Sequence, residues 1–297
     1  MMKWFDSHIH IDQYSQEEQR KLIEDVKNDK RIAGLIAVSM DEPSCQRTLQ
    51  LAKKESFIHP ALGYHPEQEV DVQQCERIYQ LIEKESHRIV AIGEVGLPYY
   101  LRQEHPNFSL SPYVEVLERF VYLAKKYDLP IILHAIYDDA EIVCDVLEAY
   151  RVKKAHFHWF KGSKSTMERM IKNDYFLSVT PDILQKEKIR DIVSFYPLTN
   201  MMVETDGPWP FQEGVMTHPS MIYDVLANIS DIKAISVEEV ATVIYENTYS
   251  FYPALTGCKN LASKLERNRR SLGGRLTVRK NPIRSTNTQW GDGEPPH

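Results

Sequence analysis

Short apolar runs of strand length recur eight times along the chain, and helix-like segments with apolar residues at helical spacing separate them. The first predicted strand holds Phe5 to Ile11. The other predicted strands cover residues 32–40, 57–65, 89–97, 130–135, 154–160, 175–180 and 200–205. The predicted helices cover residues 15–30, 45–55, 71–86, 112–127, 138–150, 164–173, 185–194, 219–235 and 237–251.

Apolar strands joined by helices indicate parallel pairing with both faces of the sheet covered. Eight such units in about 250 residues fit a TIM barrel, an α/β fold with its active site at the carboxyl ends of the strands. A doubly wound open sheet is the alternative. Residue types that bind metals stand at or near the ends of several strands, which favours the barrel because only a barrel brings these ends to one mouth.

The pattern breaks near Leu255. We predict a barrel domain over residues 1–254 and a basic, flexible tail over residues 255–297. The tail holds nine Lys or Arg residues and three Asp or Glu residues. Residues 1–254 hold 27 Lys or Arg residues and 39 Asp or Glu residues. An acidic body is not typical of a protein that coats nucleic acid, so any phosphate binding must depend on local cations.

Other bulk features predict a cytoplasmic protein. No apolar run approaches the roughly 18 residues of a membrane span, so no membrane association is expected. The first residues lead directly into a strand without the apolar core of a signal peptide. Four widely spaced cysteines predict reduced, buried thiols. No feature of the sequence calls for an obligate protein partner.

The first strand carries the first candidate chemistry. His8 and His10 project from one face because the strand period is two, and Asp6 shares that face. Two imidazoles at this spacing can bind one metal ion, and neutral imidazole suits Zn, Mn, Fe, Co or Ni. The alternative is a polar strand face without metal.

Four later strands add further candidate ligands. Glu94 lies inside an apolar run between two glycines, where a charged carboxylate is costly to bury without a partner. The remaining candidates are His134, His158 (with His156 less favoured) and Asp206. Four histidines and two carboxylates exceed one tetrahedral site and suit two ions about 3.5–4 Å apart that share a carboxylate. We predict Glu94 as that bridge and Asp206 as a ligand that also orients or deprotonates the attacking water.

Several segments in this order resemble the TatD family of metal-dependent hydrolases, which are amidohydrolase-like TIM barrels and include deoxyribonucleases. The segments are Asp6-Ser7-His8-Ile9-His10, Gly63-Tyr64-His65-Pro66, Gly93-Glu94-Val95-Gly96-Leu97, Leu133-His134, His158-Trp159-Phe160-Lys161-Gly162 and Glu204-Thr205-Asp206-Gly207-Pro208. The resemblance covers about residues 4–252. Leu97-Pro98-Tyr99 departs from the family's usual Gly-Leu-Asp-Tyr, and the helix before the fifth strand lacks the usual glutamines. The loop that faces the substrate therefore differs from the common one.

The resemblance implies two divalent ions, which we expect to be Zn, Mn or Mg. His8, His10, Glu94 and Asp206 would hold the first ion. Glu94, His134 and His158 would hold the second. His65 would line the mouth and contact substrate phosphate.

The residues predict a metal-activated water as the nucleophile of a hydrolase, and the resemblance implies that the bonds cleaved are phosphodiesters, with DNA as the expected substrate. Trp159 is a candidate for stacking on a base, with plain loop packing as its alternative. A hydrolase of small amides or esters at the same metal site is the second hypothesis. A barrel that only binds, without catalysis, is the third, and the complete ligand set argues against it.

Overall fold

The computed structural model describes residues 2–105 and 108–256. Eight parallel strands follow one another around a nearly closed barrel in chain order. The strands are β1 (Trp4–Ile9), β2 (Ile32–Ala37), β3 (Ile58–Leu62), β4 (Ala91–Gly96), β5 (Ile131–His134), β6 (Ala155–Phe157), β7 (Phe176–Val179) and β8 (Met201–Val203). The predicted TIM barrel is confirmed, and the open-sheet alternative is wrong because β8 returns to contact β1.

Helices connect the strands on the outside of the barrel. They are α1 (Gln16–Asn28), α2 (Glu42–Lys54), α3 (Val72–Glu85), α4 (Tyr99–Glu104), α5 (Ser111–Tyr127), α6 (Asp139–Tyr150), α7 (Lys164–Lys172), α8 (Glu187–Phe195), α9 (Ile222–Lys233) and α10 (Val237–Phe251). The short α4 was not predicted, because Pro98 immediately before it has no side chain that could mark a helix start.

Local chemistry explains where the predicted boundaries differ. Helix α2 begins three residues earlier than expected, since the Asp41 side chain accepts a hydrogen bond from the Ser44 amide and caps the helix. Strand β6 ends at Phe157, before the predicted end, because Trp159 has a left-handed backbone with φ of 37°.

The seam between the last and first strands forms beside the candidate ligands. The Asp206 amide donates to the His8 carbonyl at 3.0 Å, and the His10 amide donates to the Gly207 carbonyl at 2.7 Å. The buried Asp6 carboxylate also accepts hydrogen bonds from the amide (3.0 Å) and hydroxyl (2.5 Å) of Thr205. Barrel closure therefore aligns the polar ends of β1 and β8.

Two apolar clusters hold the barrel together. The larger cluster lies between the strands and the surrounding helices, and includes the fully buried Trp4 of β1. The smaller cluster fills the barrel interior, where Phe251 and Tyr252 pack against inward-facing residues such as Ile132 and Met202. The polar ends of the strands thus stand above a dry, packed interior.

Part of the predicted domain organisation lies outside the described residues. Residues 257–297 of the predicted tail (residues 255–297) lie outside the described residues. The division at residue 254 stays a prediction. Within residues 2–105 and 108–256, no helix is long and apolar enough to cross a membrane.

Gly63, just after β3, is expected to be intolerant of any side chain. A Cβ there would lie 2.4 Å from the backbone oxygen of Glu94 and 2.7 Å from the Gly93 carbonyl carbon. Because backbone atoms cannot move aside cheaply, Gly63→Ala should lower the free energy of unfolding by about 1–3 kcal/mol, as measured by urea denaturation. It should also weaken metal binding, since Glu94 must shift.

Gly214→Ala is the matched control. It has no atom within 4 Å of the added Cβ and a positive φ of 70°, so it should lose only about 1 kcal/mol to backbone strain and bind metal normally. A Gly63→Ala protein with the urea midpoint of the wild type would contradict the steric argument.

Candidate metal centre

Four side chains from the first, fourth and last strands of the barrel converge on one point. His8 Nε2 lies 3.2 Å from Glu94 Oε2 and 3.3 Å from Asp206 Oδ1. His10 Nε2 lies 3.2 Å and 3.5 Å from the same two oxygens, and 3.3 Å from His8 Nε2. These are the four residues that the family resemblance implies for the first ion.

A second group of donors meets the other oxygen of the same carboxylate. His158 Nε2 lies 2.6 Å from Glu94 Oε1, and His134 Nδ1 lies 2.9 Å from it. The two histidine nitrogens are 3.3 Å apart. These are the three residues that the sequence assigns to the second ion, so each Glu94 oxygen faces its own set of nitrogen donors.

The first group fits a divalent metal ion by three observations. Glu94 Oε2 and Asp206 Oδ1 are buried and accept no hydrogen bond. Ligand atoms about 2.1 Å from a tetrahedral ion lie about 3.4 Å from one another, which matches the 3.2–3.5 Å separations in this group. The donor set of imidazole nitrogens and carboxylate oxygens suits Zn or Mn.

The electrostatics of the group are those of carboxylates that need a cation. Burial raises the pKa of Glu94, but the surrounding histidines, chiefly His158, outweigh that effect and hold the pKa well below its ordinary value. Burial opposes protonation of His10, yet Asp206 and Glu94 raise the pKa of His10 to about 10. A proton on His10 can neutralise these anions, and a metal ion would displace that proton.

His156, the less favoured alternative to His158, points away from the centre. Its Nδ1 bonds with the Tyr252 hydroxyl at 2.8 Å and its Nε2 with the Ser178 hydroxyl at 2.7 Å. Both ring nitrogens are thus engaged one layer below the mouth. His158 Nε2, by contrast, faces Glu94.

His65 lies closer to the candidate ligands than its predicted role in substrate binding requires. Its Nε2 is 3.6 Å from Glu94 Oε1, and His65, Glu94 and His134 together form a group that could hold a metal. Its Nδ1 accepts a hydrogen bond from the Glu67 amide, and burial lowers the pKa of His65 to about 3. A neutral imidazole with a free Nε2 can serve either as a ligand or as a substrate contact.

Trp159, the predicted base-stacking residue, is largely covered. It is 9% exposed, and its ring packs against Trp209 and Phe211 at centroid distances of 5.7 and 5.6 Å. Its indole N–H donates to Asp182 at 2.9 Å. The exposed ring at this edge of the mouth is Trp209, at 56%.

Sequence reasoning missed two carboxylates that support the candidate ligands. Glu204, fully buried, accepts a hydrogen bond from the Trp159 amide at 2.7 Å and lies 3.6 Å from His158 Nδ1. Its other oxygen accepts from the Ser178 hydroxyl at 2.5 Å. His158 therefore lies between the carboxylates of Glu94 and Glu204.

Glu67 has the same relation to His134. Its Oε1 is 3.1 Å from His134 Nε2, the nitrogen that faces away from Glu94. Its two oxygens also accept the amides of Tyr100 at 2.9 Å and Leu101 at 2.7 Å, in the first turn of α4. Burial opposes ionisation, but these bonds hold the pKa of Glu67 below its ordinary value. The sequence signal that could have identified Glu67 is its position directly after His65-Pro66. Its partner His134 is 67 positions away in sequence, so the contact itself could not be predicted.

Comparison with known proteins connects this geometry to one group of enzymes. The sequence model of the TatD-related DNase family matches residues 5–253. A metal-dependent hydrolase of Haemophilus influenzae is 36% identical over 255 residues, which are 84% of this chain and 98% of that protein. Human deoxyribonuclease TATDN3 is 28% identical over 262 residues, covering 84% of this chain and 94% of the relative.

A solved structure agrees with the barrel. The TatD homologue YjjV of Escherichia coli superposes with a TM-score of 0.71 and 25% identity. The match covers 84% of this chain and 98% of that one. The structural match and the sequence match therefore cover the same share of the chain.

Substitution of Glu67 should weaken metal binding without unfolding the protein. If His134 binds by Nδ1, its Nε2 carries the proton and donates to Glu67. Removing such an outer carboxylate typically lowers metal affinity by about 10–100-fold. Glu67→Gln should show this loss in one class of sites when the chelator-treated protein is titrated with Mn.

Glu69→Gln is the matched control, because Glu69 is exposed and two residues further along the same loop. It should titrate as the wild type does. Equal Mn affinity in Glu67→Gln and wild type would show that Glu67 only caps α4.

Proposed function

This chain belongs to the TatD-related DNase family of metal-dependent hydrolases, and from that premise we propose that it hydrolyses phosphodiester bonds of DNA at a two-metal site. The proposal includes the role of each ligand and the use of two ions. It also includes a fold domain that ends near residue 254, with the basic tail outside the catalytic part.

One observation carries the proposal. The Glu94 carboxylate is fully buried, and each of its oxygens faces a different set of histidine nitrogens. A single bridging carboxylate between two donor sets is the arrangement expected for two ions that share a ligand. A structural core glutamate would instead pair with hydrogen-bond donors on both oxygens, and Glu94 Oε2 has none.

The donor set divides between the two positions. His8, His10 and Asp206 would hold one divalent ion with Glu94 Oε2, and His134 and His158 would hold the other with Glu94 Oε1. Zn, Mn or Mg ions bound there would lower the pKa of water and neutralise the charge that develops on phosphoryl oxygens.

Exposure distinguishes the two catalytic carboxylates. The Glu94 side chain is fully buried, whereas the Asp206 side chain is 11% exposed. Only Asp206 can therefore reach a water molecule in the mouth while keeping its other contacts. We assign Asp206 the role of accepting the proton of the attacking water and Glu94 the role of holding the centre together.

The mouth supplies the substrate contacts in this proposal. His65 offers Nε2 to a phosphate oxygen, and Trp159 forms the base of an aromatic wall whose exposed ring is Trp209. Aromatic faces stack on nucleobases with little regard to sequence. The same wall is less useful to a hydrolase of small amides or esters, which is the second candidate function.

The test of the function is a panel of substrates. The Mn-loaded and Zn-loaded protein should hydrolyse DNA oligonucleotides and bis(p-nitrophenyl) phosphate, and EDTA should abolish both activities. Turnover of small carboxylic esters or amides, with no release of nucleotides from single-stranded or duplex DNA, would favour the second candidate instead.

Two ions should bind per chain. Six candidate side chains around one buried centre would otherwise leave charge unpaired. Calorimetric titration of chelator-treated protein with Mn should reach two equivalents. The thermal midpoint should rise, since a ligand at 100 times its Kd stabilises the native state by about 2.7 kcal/mol. Saturation at one equivalent would remove the two-metal proposal.

Substitutions of Glu94 and Asp206 should have different effects. Glu94→Gln keeps the shape but loses the charge shared by both donor sets, so metal occupancy should fall. Asp206→Asn leaves His8, His10 and Glu94 in place, so most metal should remain while turnover falls by about 10²–10⁴-fold, the usual contribution of a general base.

Metal content and turnover should be measured on the same samples at saturating Mn. Glu85→Gln serves as control, because Glu85 is a buried glutamate that pairs with Arg88 away from the mouth. Near wild-type turnover in Asp206→Asn would exclude Asp206 as the base.

A further inference from the structure

Lys161 is a half-buried lysine at the barrel mouth whose charge has no carboxylate partner. Its Nζ lies 4.0 Å from the centroid of the Trp159 ring and 3.4 Å from the Tyr100 hydroxyl. Over residues 2–105 and 108–256, no carboxylate oxygen lies within ion-pairing distance of this nitrogen. Burial lowers the pKa of Lys161 to about 8, so desolvation of the charge is not fully compensated within the protein.

The neighbouring Lys186 differs from Lys161 because it has a carboxylate partner. Its Nζ pairs with Asp182 at 2.8 Å, and lies 6.0 Å from the same Trp159 ring. Asp182 thus forms an ion pair with the exposed lysine, whereas it acts on the more buried Lys161 only through its charge and leaves Nζ of Lys161 without an ion pair. A lysine held in this way is suited to an anion that arrives from outside.

The position of Lys161 connects that anion to the metal centre. Lys161 lies three residues after the candidate ligand His158, and its carbonyl accepts a hydrogen bond from the Tyr137 amide. Its side chain also reaches Tyr100, in the helix that Glu67 caps. The segments that follow β4, β5 and β6 therefore meet at this residue, Tyr137 through the Lys161 backbone and Tyr100 through its side chain.

We propose that Lys161 binds a second phosphate of the substrate, next to the phosphodiester that is cleaved, and so selects oligonucleotides over simple phosphodiesters. The inference rests on the proposed function, because it assumes phosphodiester hydrolysis at the metal centre. An ammonium group binds phosphate as a point charge. The cation–π contact with Trp159 holds the Lys161 side chain in position.

A purely structural role is the alternative. Lys161 could hold Trp159 in place through the cation–π contact alone. That role would affect stability and all substrates equally. A phosphate-binding role would affect only substrates that carry the second phosphate.

The test compares three thymidine dinucleotides that share one scissile phosphodiester. One has no terminal phosphate, one has a 5′-phosphate and one has a 3′-phosphate. The Mn-loaded wild type should hydrolyse one of the two phosphorylated forms with a kcat/KM about tenfold higher, as a charge-assisted contact predicts. Lys161→Met should lose this preference and keep wild-type turnover of the unphosphorylated form, and Lys161→Arg should retain the preference.

Lys186→Met is the matched control, and should keep the preference because Lys186 is already paired. Thermal midpoints of all variants separate loss of folding from loss of binding. A wild type that cleaves all three dinucleotides equally would overturn the inference while leaving the proposed function intact. Equal losses on all three in Lys161→Met would also overturn it. No hydrolysis of any dinucleotide or of bis(p-nitrophenyl) phosphate would overturn both.

Discussion

The Glu94 carboxylate is the constraint on which the centre of this molecule depends. It lies fully buried in a strand that is otherwise apolar, where an ionised group without partners would cost several kcal/mol. The ends of the first, fifth and sixth strands supply compensating groups, because nitrogens from His8, His10, His134 and His158 lie within 3.2 Å of its oxygens. The residues of the mouth therefore keep the Glu94 carboxylate ionised, and a divalent cation bound there would neutralise its charge.

The same constraint unites catalysis with barrel closure. The β1–β8 seam is joined by backbone hydrogen bonds at His8, His10 and Asp206, three of the candidate ligands. Asp6 strengthens the seam through Thr205, and burial raises the pKa of Asp6 to about 7 despite these bonds. A seam that slipped by one residue would turn the histidines out of the centre, because strand period is two. The fold thus needs correct closure to build the site.

Much of the fold and of the candidate ligand set could be predicted from sequence, because the strands follow local periodicity and the candidate ligands are metal-binding residue types near strand ends. Alternation placed His8 and His10 on one face, and eight apolar runs predicted the barrel. The supports of the site could not be predicted in this way. Glu67 and His134 are 67 positions apart in sequence, and Glu204 and His158 are 46 positions apart. No local sequence pattern predicts contacts between residues so far apart. The early end of β6 depends on a left-handed Trp159, which propensity does not favour.

Charge distribution limits how this protein can approach a polyanion. Residues 1–254 hold 27 basic and 39 acidic groups, so the body as a whole repels nucleic acid. Attraction must then come from a few cations within about one Debye length of the phosphate, roughly 8 Å at physiological salt. Lys161, over the ring of Trp159, is a cation of this kind three residues after the candidate ligand His158, and Lys188 lies over the ring of Tyr137. Under the proposed function, binding would therefore involve a short stretch of backbone at the mouth and would gain little from the length of the strand beyond it.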